Sequence, residues 1–468
     1  MRADEAHRIS SINPATGEVI GSFHEAQEDD ALRAVAVARE SFDDGRWRKL
    51  TPAQRQKVLW RVADLIDTNA QTLAELECLD GGKLYAPTLQ YEVPHAAETF
   101  RYYAGWCTKL NGHLFDASVP GVEFHGYVRH EPVGVVAQII PWNGALVAAS
   151  WKLAPALAVG CSVILKPAEL SALSVLFLGE LLLEAGIPPG TVSILAGRGS
   201  VVGQLLATHN DVDKVAFTGS TSVGKRLLVA AQGNLKRLTL ELGGKSPTLI
   251  FADADLADAI PSAAGAIFSN AGQVCVAGSR VYAERSVYRE VCAGLAAIAS
   301  KLAVGPGLDA DSQMGPLISD AHRRSVHDVV ARSGAGGIEI LTGGTPLAGA
   351  GFFYPATVVA CEHGAHPVVQ EEVFGPVVTV MPFDDAAGAV RHANDSIYGL
   401  AASIWTQNLS RAHQVAAQIR SGIVWINSHG IPELSMPIGG MKQSGWGREH
   451  GQEGLMIYTE TKSVMARI

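Results

Sequence analysis

Residues Lys214–Gly233 read KVAFTGSTSVGKRLLVAAQG, and this stretch decides the fold. An apolar run, KVAFTGS, has the composition of a buried strand, and VGKRLLVAAQG has helical periodicity. The glycine turn between them, from Gly219, reads G-S-T-S-V-G-K-R. It follows the P-loop pattern G-x-x-x-x-G-K-[ST] up to its last position, where Arg226 replaces the Ser or Thr that would hold Mg²⁺. An arginine cannot ligate a cation. The loop therefore suits a nucleotide that is bound without being cleaved.

The same alternation extends on both sides. VGVVAQIIPW, SVILKP and TVSILAG read as strands, with SWKLAPALAVG and SALSVLFLGELLLEAG as helices between them. Strands separated by single helices imply a parallel, doubly wound α/β sheet whose ligands bind beyond the carboxyl ends of its strands. Pro141–Asn143, Lys166 and Gly219 lie at such ends. A second α/β stretch runs from about Gly244 to His429. Before the sheet, residues Ser11–Phe23 read as two short strands around a Pro/Gly turn. Glu28–Ala104 is helical in period, and QRQKVLWRVADLIDTNAQTLAELECLDGG reads as a run ending at a glycine pair. His113–His130 reads as an extended hairpin with a Pro-Gly turn, and the tail after Leu455 ends extended. No internal repeat is present.

The bulk properties narrow the function classes. A chain of 468 residues has room for two or three domains. With 18% charged and 47% apolar residues it is a folded protein rather than a disordered one. A net charge of -9 argues against a non-specific nucleic-acid binder. Met1–Ser10 has no apolar core of a secretory signal, and no apolar run is long and unbroken enough to span a bilayer. The six cysteines (78, 107, 161, 275, 292 and 361) show no metal-binding spacing, so no metal site is expected. Reduced thiols in a cytoplasm are the expectation.

Taken one at a time, the residues that could do chemistry leave two readings open. Cys275, in NAGQVCVAGSR, is a nucleophile among small neighbours or an ordinary buried thiol. Glu241, in TLELGGK, is a desolvated general base or a strand-end charge. Asn143 is an oxyanion donor or a turn former. Glu371–Glu372, Lys166 and Glu169 are nucleotide contacts or solvated charges.

In chain order, PWN, KPAE, FTGSTSVG, LELGGK, GQVC, EEVFGP and PIGGMKQSGWGRE together resemble the NAD(P)-dependent aldehyde dehydrogenase superfamily. The resemblance runs from NPATGE at Asn13 to TETKSV at Val464. It implies an α/β fold of three parts. Residues 1–112, 131–243 and 444–459 would form a Rossmann-type NAD-binding domain and 244–443 the catalytic domain. Residues 113–130 and 460–468 would be oligomerisation segments of a homodimer or homotetramer.

The resemblance also implies roles. Cys275 would attack the aldehyde carbon, and the Asn143 amide and the Cys275 backbone N–H would hold the oxyanion. Glu241, with a pKa raised by burial, would activate water against the thioester, and Lys152 would support proton movement. The FTGSTSVGK turn would bring backbone to the pyrophosphate of NAD, with Gly219, Ser220 and Gly224 serving the contact and the packing. Lys166 and Glu169 would bracket the adenine ribose, and Glu372 the nicotinamide ribose, with Phe374 nearby. Ile139, Pro141, Trp142, Leu242 and Gly243 complete the implied cofactor set. Because a carboxylate repels a 2′-phosphate, Glu169 favours NAD, with NADP a weaker second.

Departures from the family pattern fall in the implied substrate tunnel. Gly144 and Ala148 are small, Trp151 is kept, and Ile438 stands where PFGG has Phe; Val274 and Val276 flank Cys275. The expectation is a wide tunnel for a bulky aryl, alicyclic or long-chain aldehyde, unless other side chains refill it; Glu433 would instead favour a cationic group. Three rivals remain in view. A CoA-acylating dehydrogenase is disfavoured by Glu241, and a P-loop NTPase by Arg226. A non-catalytic protein keeping the fold is disfavoured by the retention of Cys275, Glu241 and Asn143.

Overall fold

The computed structural model describes residues 7–334 and 337–468. The first six residues of the stretch inspected for a signal lie outside them. Two parallel-rich sheets organise the chain, with two small antiparallel sheets, one of them the pair Arg8–Ile12 and Val19–His24 expected around the Pro/Gly turn.

The first sheet has six strands, in the order Gly445–Trp446, Arg237–Glu241, Lys214–Thr218, Val135–Ile139, Ser162–Lys166, Val192–Ile194. All its pairings are parallel except that of Gly445–Trp446. Strands Val135–Ile139 and Ser162–Lys166 are buried along their whole length, which is why they read as unbroken apolar runs. The chain moves outward from Val135–Ile139 to one side, then returns to place Lys214–Thr218 on its other side. The crevice between these two strand ends is a topological switch point. Pro141–Asn143 and Gly219–Ser220 both emerge there.

The second sheet has seven strands, in the order Ile338–Thr342, Thr357–Cys361, Val377–Phe383, Arg280–Glu284, Pro247–Ile250, Ala401–Trp405, Ile423–Ile426. Only Ile338–Thr342 runs antiparallel to its neighbour. The third sheet joins His113–Asp116, Phe124–Pro132 and Thr459–Arg467, the last paired from Thr459 opposite Pro132 to Arg467 opposite Phe124. Gly121, at φ 74°, supplies the left-handed turn of this hairpin.

The helical N-terminal region differs from its sequence reading at one place. The run after Gln54 is two helices, Pro52–Thr68 and Ala70–Gly81. Asn69 divides them, its side-chain amide donating to the Leu65 carbonyl (2.9 Å) in competition with the backbone ladder. The start is set by Thr51, which caps Gln54 while Pro52 occupies the first turn, and the end by Gly82 at φ 73°. A short helical stretch at Gly199–Thr208 was not expected from the sequence.

Candidate active site

Cys275 lies in the loop between a tight turn at Ser269–Gly272, left-handed at its centre, and strand Arg280–Glu284. Its side chain is half-buried. Burial, then the charges of Glu372 and Glu241, push its thiol up to about 12, while the backbone N–H groups of Cys275 and Val276 pull the other way. Two carboxylates and two N–H donors therefore bear on one sulfur. Among the six cysteines this environment is peculiar to Cys275, the others being fully buried.

Glu241 ends strand Arg237–Glu241, and its backbone carbonyl accepts from Gly219 N–H (3.0 Å). One carboxylate oxygen is buried without a partner. Burial first, and the like charge of Glu449 second, hold its pKa well above the usual carboxylate range; Lys152 and Arg448 oppose them. Gly439 is required here, since a Cβ at that position would stand 2.8 Å from the Glu241 carboxylate. Lys152, fully buried on helix Ala145–Val159, pairs with buried Glu449. Glu449 was not singled out from the sequence, although it closes the quoted motif at WGRE.

The Asn143 side-chain amide donates to the Gln273 carbonyl (2.9 Å), two residues before Cys275. The structure thus draws together Cys275, Asn143, Glu241 and Lys152 from four separated motifs. Asn270 and Gln273, which the sequence reading passed over, join them through the hydrogen bonds described below.

The expected nucleotide contacts lie at the ends of the six-stranded sheet. Ser220 caps helix Thr221–Ala230, accepting from Val223 N–H (3.4 Å). A Cβ at Gly224 would meet Leu242 at 2.7 Å, so this glycine permits close packing of helix on strand. Leu242 N–H donates to the Ser444 carbonyl, and Ser444 Oγ donates to the Gly243 carbonyl (2.6 Å). Lys166 is buried and sits 3.3 Å from the Glu169 carboxylate. Ile139 is buried beneath them. Trp142 packs edge-on to Phe374 with ring centroids 5.4 Å apart, next to half-buried Pro141.

The two glutamates of EEVFGP part company. Glu371 forms a two-pronged ion pair with Arg332 at the surface. Glu372 turns inward, accepts from Gly244 N–H (2.8 Å), and is raised by burial to about 7. A cleft of about 440 Å³ runs between Ser220–Ser222 on one wall and Glu371, Glu372 and Tyr398 on the other. A helix N-terminus with serine and threonine hydroxyls on one wall and a carboxylate on the other fits a phosphate-linked dinucleotide with ribose hydroxyls.

Gly144, Ala148 and Trp151 share one face of helix Ala145–Val159. A Cβ at Gly144 would meet nothing within 4 Å, so that space is open. Farther along, refilling occurs. The Trp151 indole donates to His95 (3.0 Å) and meets His450 edge-on at 4.5 Å. Neither histidine was foreseen. Burial favours the neutral form of both. Val274, Val276 and Ile438 are half-buried, with Ile438 bridged to Glu449. Glu433 is exposed and accepts from Ser435.

The model of the aldehyde dehydrogenase family matches residues 1–464. The chain belongs to the aldehyde dehydrogenase family. It is 42% identical over 470 residues to phenylacetaldehyde dehydrogenase of Pseudomonas fluorescens, covering 99% of this chain and 94% of that one. An aldehyde dehydrogenase from Bacillus cereus, solved as its NAD⁺ complex, superposes with a TM-score of 0.96 at 43% identity, covering 98% and 93%. A betaine aldehyde dehydrogenase from Staphylococcus aureus in complex with NAD⁺ gives 0.97 at 39% identity, covering 100% and 92%. The aldehyde dehydrogenase fold expected from the sequence, with its Rossmann-type sheet, second α/β sheet and small β extension, is the fold observed.

Proposed function

We propose that this aldehyde dehydrogenase oxidises a bulky aldehyde to its carboxylic acid, with NAD as cofactor and water as the acyl acceptor. The observation that carries the reading is the half-buried Cys275 sulfur, which feels the charges of Glu372 and Glu241, with Asn143 tied to the loop just before it. Ser220–Ser222 and Glu372 would hold NAD at the cleft, where it would supply the acceptor for the hydride lost by the aldehyde carbon. Glu241 takes the Cys275 thiol proton as Sγ bonds to that carbon, and the developing oxyanion takes hydrogen bonds from the Asn143 amide and the Cys275 N–H. The same sulfur carries the acyl group as a thioester. Glu241 takes a proton from water as the water oxygen adds. The carbon–sulfur bond then breaks, releasing the acid and restoring the Cys275 thiolate. Lys152 and Glu449 provide a buried route by which Glu241 can lose that proton.

Glu241 supports hydrolysis over transfer to CoA, because a base is needed for water and not for a thiol of lower pKa. A catalytically silent protein would have no use for three retained reactive groups. The Glu169 carboxylate beside Lys166 supports NAD over NADP. The open space at Gly144 supports a bulky substrate, and the exposed Glu433 is the feature that would favour a cationic one. No helix among the described residues is long and apolar enough to cross a membrane; six cysteines without a disulfide between them support a cytoplasmic location. We retain the three-part domain division at 112/113, 130/131, 243/244, 443/444 and 459/460. Exposed Leu114, Phe115 and Met465 on the antiparallel sheet support a homodimer or homotetramer joined through it.

The test is NADH formation without CoA from an aryl aldehyde and from acetaldehyde. A higher kcat/KM for the aryl compound is expected; a preference for acetaldehyde would defeat the substrate reading, and a CoA requirement the hydrolytic one.

A further inference from the structure

Immediately before the nucleophile loop, Asn270, Ala271 and Gly272 hold left-handed backbone, with φ of 47°, 52° and 71°. Such a run is unfavourable for L residues, and only glycine and, less freely, asparagine enter it readily. It reverses the chain tightly after helix Leu256–Phe268. Gly272 has no alternative, since a Cβ there would lie 2.0 Å from the Gly375 carbonyl oxygen. Something must hold this turn against its own preference.

The hydrogen bonds supply the answer. The Asn270 side-chain amide donates to the Asn143 carbonyl (3.1 Å) and to the Gln273 carbonyl (3.3 Å). The Asn143 amide donates to that same Gln273 carbonyl (2.9 Å). In return, the buried Gln273 side chain donates to the Asn270 carbonyl (3.0 Å) and accepts from Ile318 N–H (2.9 Å). These bonds form a closed ring through Asn143, Asn270 and Gln273. One carbonyl with two lone pairs serves both amides. It takes one N–H of the Asn143 amide, fixes the plane of that group, and leaves its second N–H for another acceptor.

We infer that Asn270 is a positioning residue of the oxyanion hole, tying the Asn143 loop to the Cys275 loop so that the free Asn143 N–H is held in register with the sulfur. The inference rests on the reading of Asn143 as an oxyanion donor. Asn270 itself does not touch the reacting atoms. Its substitution changes the chemical step and leaves cofactor binding alone.

Two variants of the full chain separate this role from the demands of the turn. Asn270→Gly accepts left-handed backbone freely and removes the amide. Asn270→Asp keeps the size and backbone preference but replaces the donor with an acceptor. Each is measured for kcat with saturating NAD and aldehyde, for NAD Kd, and again in an Asn143→Ala background. Both should lower kcat about ten-fold or more while NAD Kd stays within about two-fold. With Asn143 already replaced, Asn270→Gly should add no more than about two-fold, because coupled residues are not additive. A near-normal kcat in Asn270→Gly, or a full multiplicative loss in the double variant, would restrict Asn270 to shaping the turn. Should Asn143→Ala alone leave kcat intact, the oxyanion assignment fails and takes this inference with it. Should Asn270→Gly not fold, the Asn270→Asp measurements decide by the same criteria.

Discussion

The Lys152 ammonium and the Glu449 carboxylate form an ion pair in the interior, and the Glu449 charge is felt by Glu241. Lys152 comes from the helix that follows Asn143, and Glu449 from the segment bridged to Ile438. The pair therefore links the helix carrying Gly144, Ala148 and Trp151 to the environment of the proposed base.

Replacing one partner tests that link. Glu449→Gln leaves a buried ammonium uncompensated and should cost about 3 kcal/mol of stability. It also removes the like charge that raises Glu241 and leaves Lys152, which lowers it, unopposed. Both changes move the Glu241 pKa down, so the base form persists to lower pH. The acid limb of thioester hydrolysis, followed by the pH dependence of kcat, should shift to lower pH. Reduced stability with an unmoved limb would make the pair purely structural.

Cys275 is held protonated in the resting protein, its thiol at about 12 through burial and two carboxylates. Alkylation by iodoacetamide in the absence of NAD should therefore rise about ten-fold per pH unit between about pH 7 and 9, tracking the thiolate fraction. Glu372→Gln should speed it at fixed pH by removing one of those charges. A rate that levels off below about pH 8 would show a thiolate already formed.

Gly144→Phe fills space that the chain leaves open, at a φ of -157° that any residue adopts. Thermal stability should hardly change. The ratio of kcat/KM for an aryl aldehyde to that for acetaldehyde should fall about ten-fold. An unchanged ratio would mean that this position does not face the substrate.

Glu169→Ser removes the carboxylate expected to repel a 2′-phosphate and keeps Lys166 at the strand end. The NADP-to-NAD ratio of kcat/KM should rise about ten-fold, through KM for NADP. No change in that ratio would place the adenine ribose elsewhere.

Fold and site were legible in the sequence to different depths, for physical reasons. Val135–Ile139 and Ser162–Lys166 announced themselves because buried parallel strands are continuous apolar runs stopped by proline or glycine. The glycine turn at Gly219 was visible for the same local reason, as was the hairpin turn at Pro120–Gly121, whereas the cap at Ser220 was not foreseen. The break at Asn69 was hidden because helical periodicity continues on both sides of it. The stretch Gly199–Thr208 was hidden by its own glycines. At the site, Cys275, Glu241 and Asn143 each had two readings until the motifs were taken together. Asn270 and Glu449 escaped notice because their partners lie 127 and 297 residues away, which no local pattern reports. His95 and His450 escaped because their relevance depends on meeting at Trp151.

The pairing of Glu241 with Gly445 sets the order in which the molecule can be completed. Ser444, which ties down the Gly243 carbonyl beside that pair, lies 201 residues farther along the chain. During synthesis from the N-terminus, Asn143 and Cys275 leave the ribosome well before the strand that closes the sheet edge over Glu241. Until it arrives, strand Arg237–Glu241 is an open edge able to recruit a neighbouring nascent chain. Cys275 is thus made before the surroundings of Glu241. The segment around Gly445 both completes the surroundings of Glu241 and covers a sheet edge that is open until it is made.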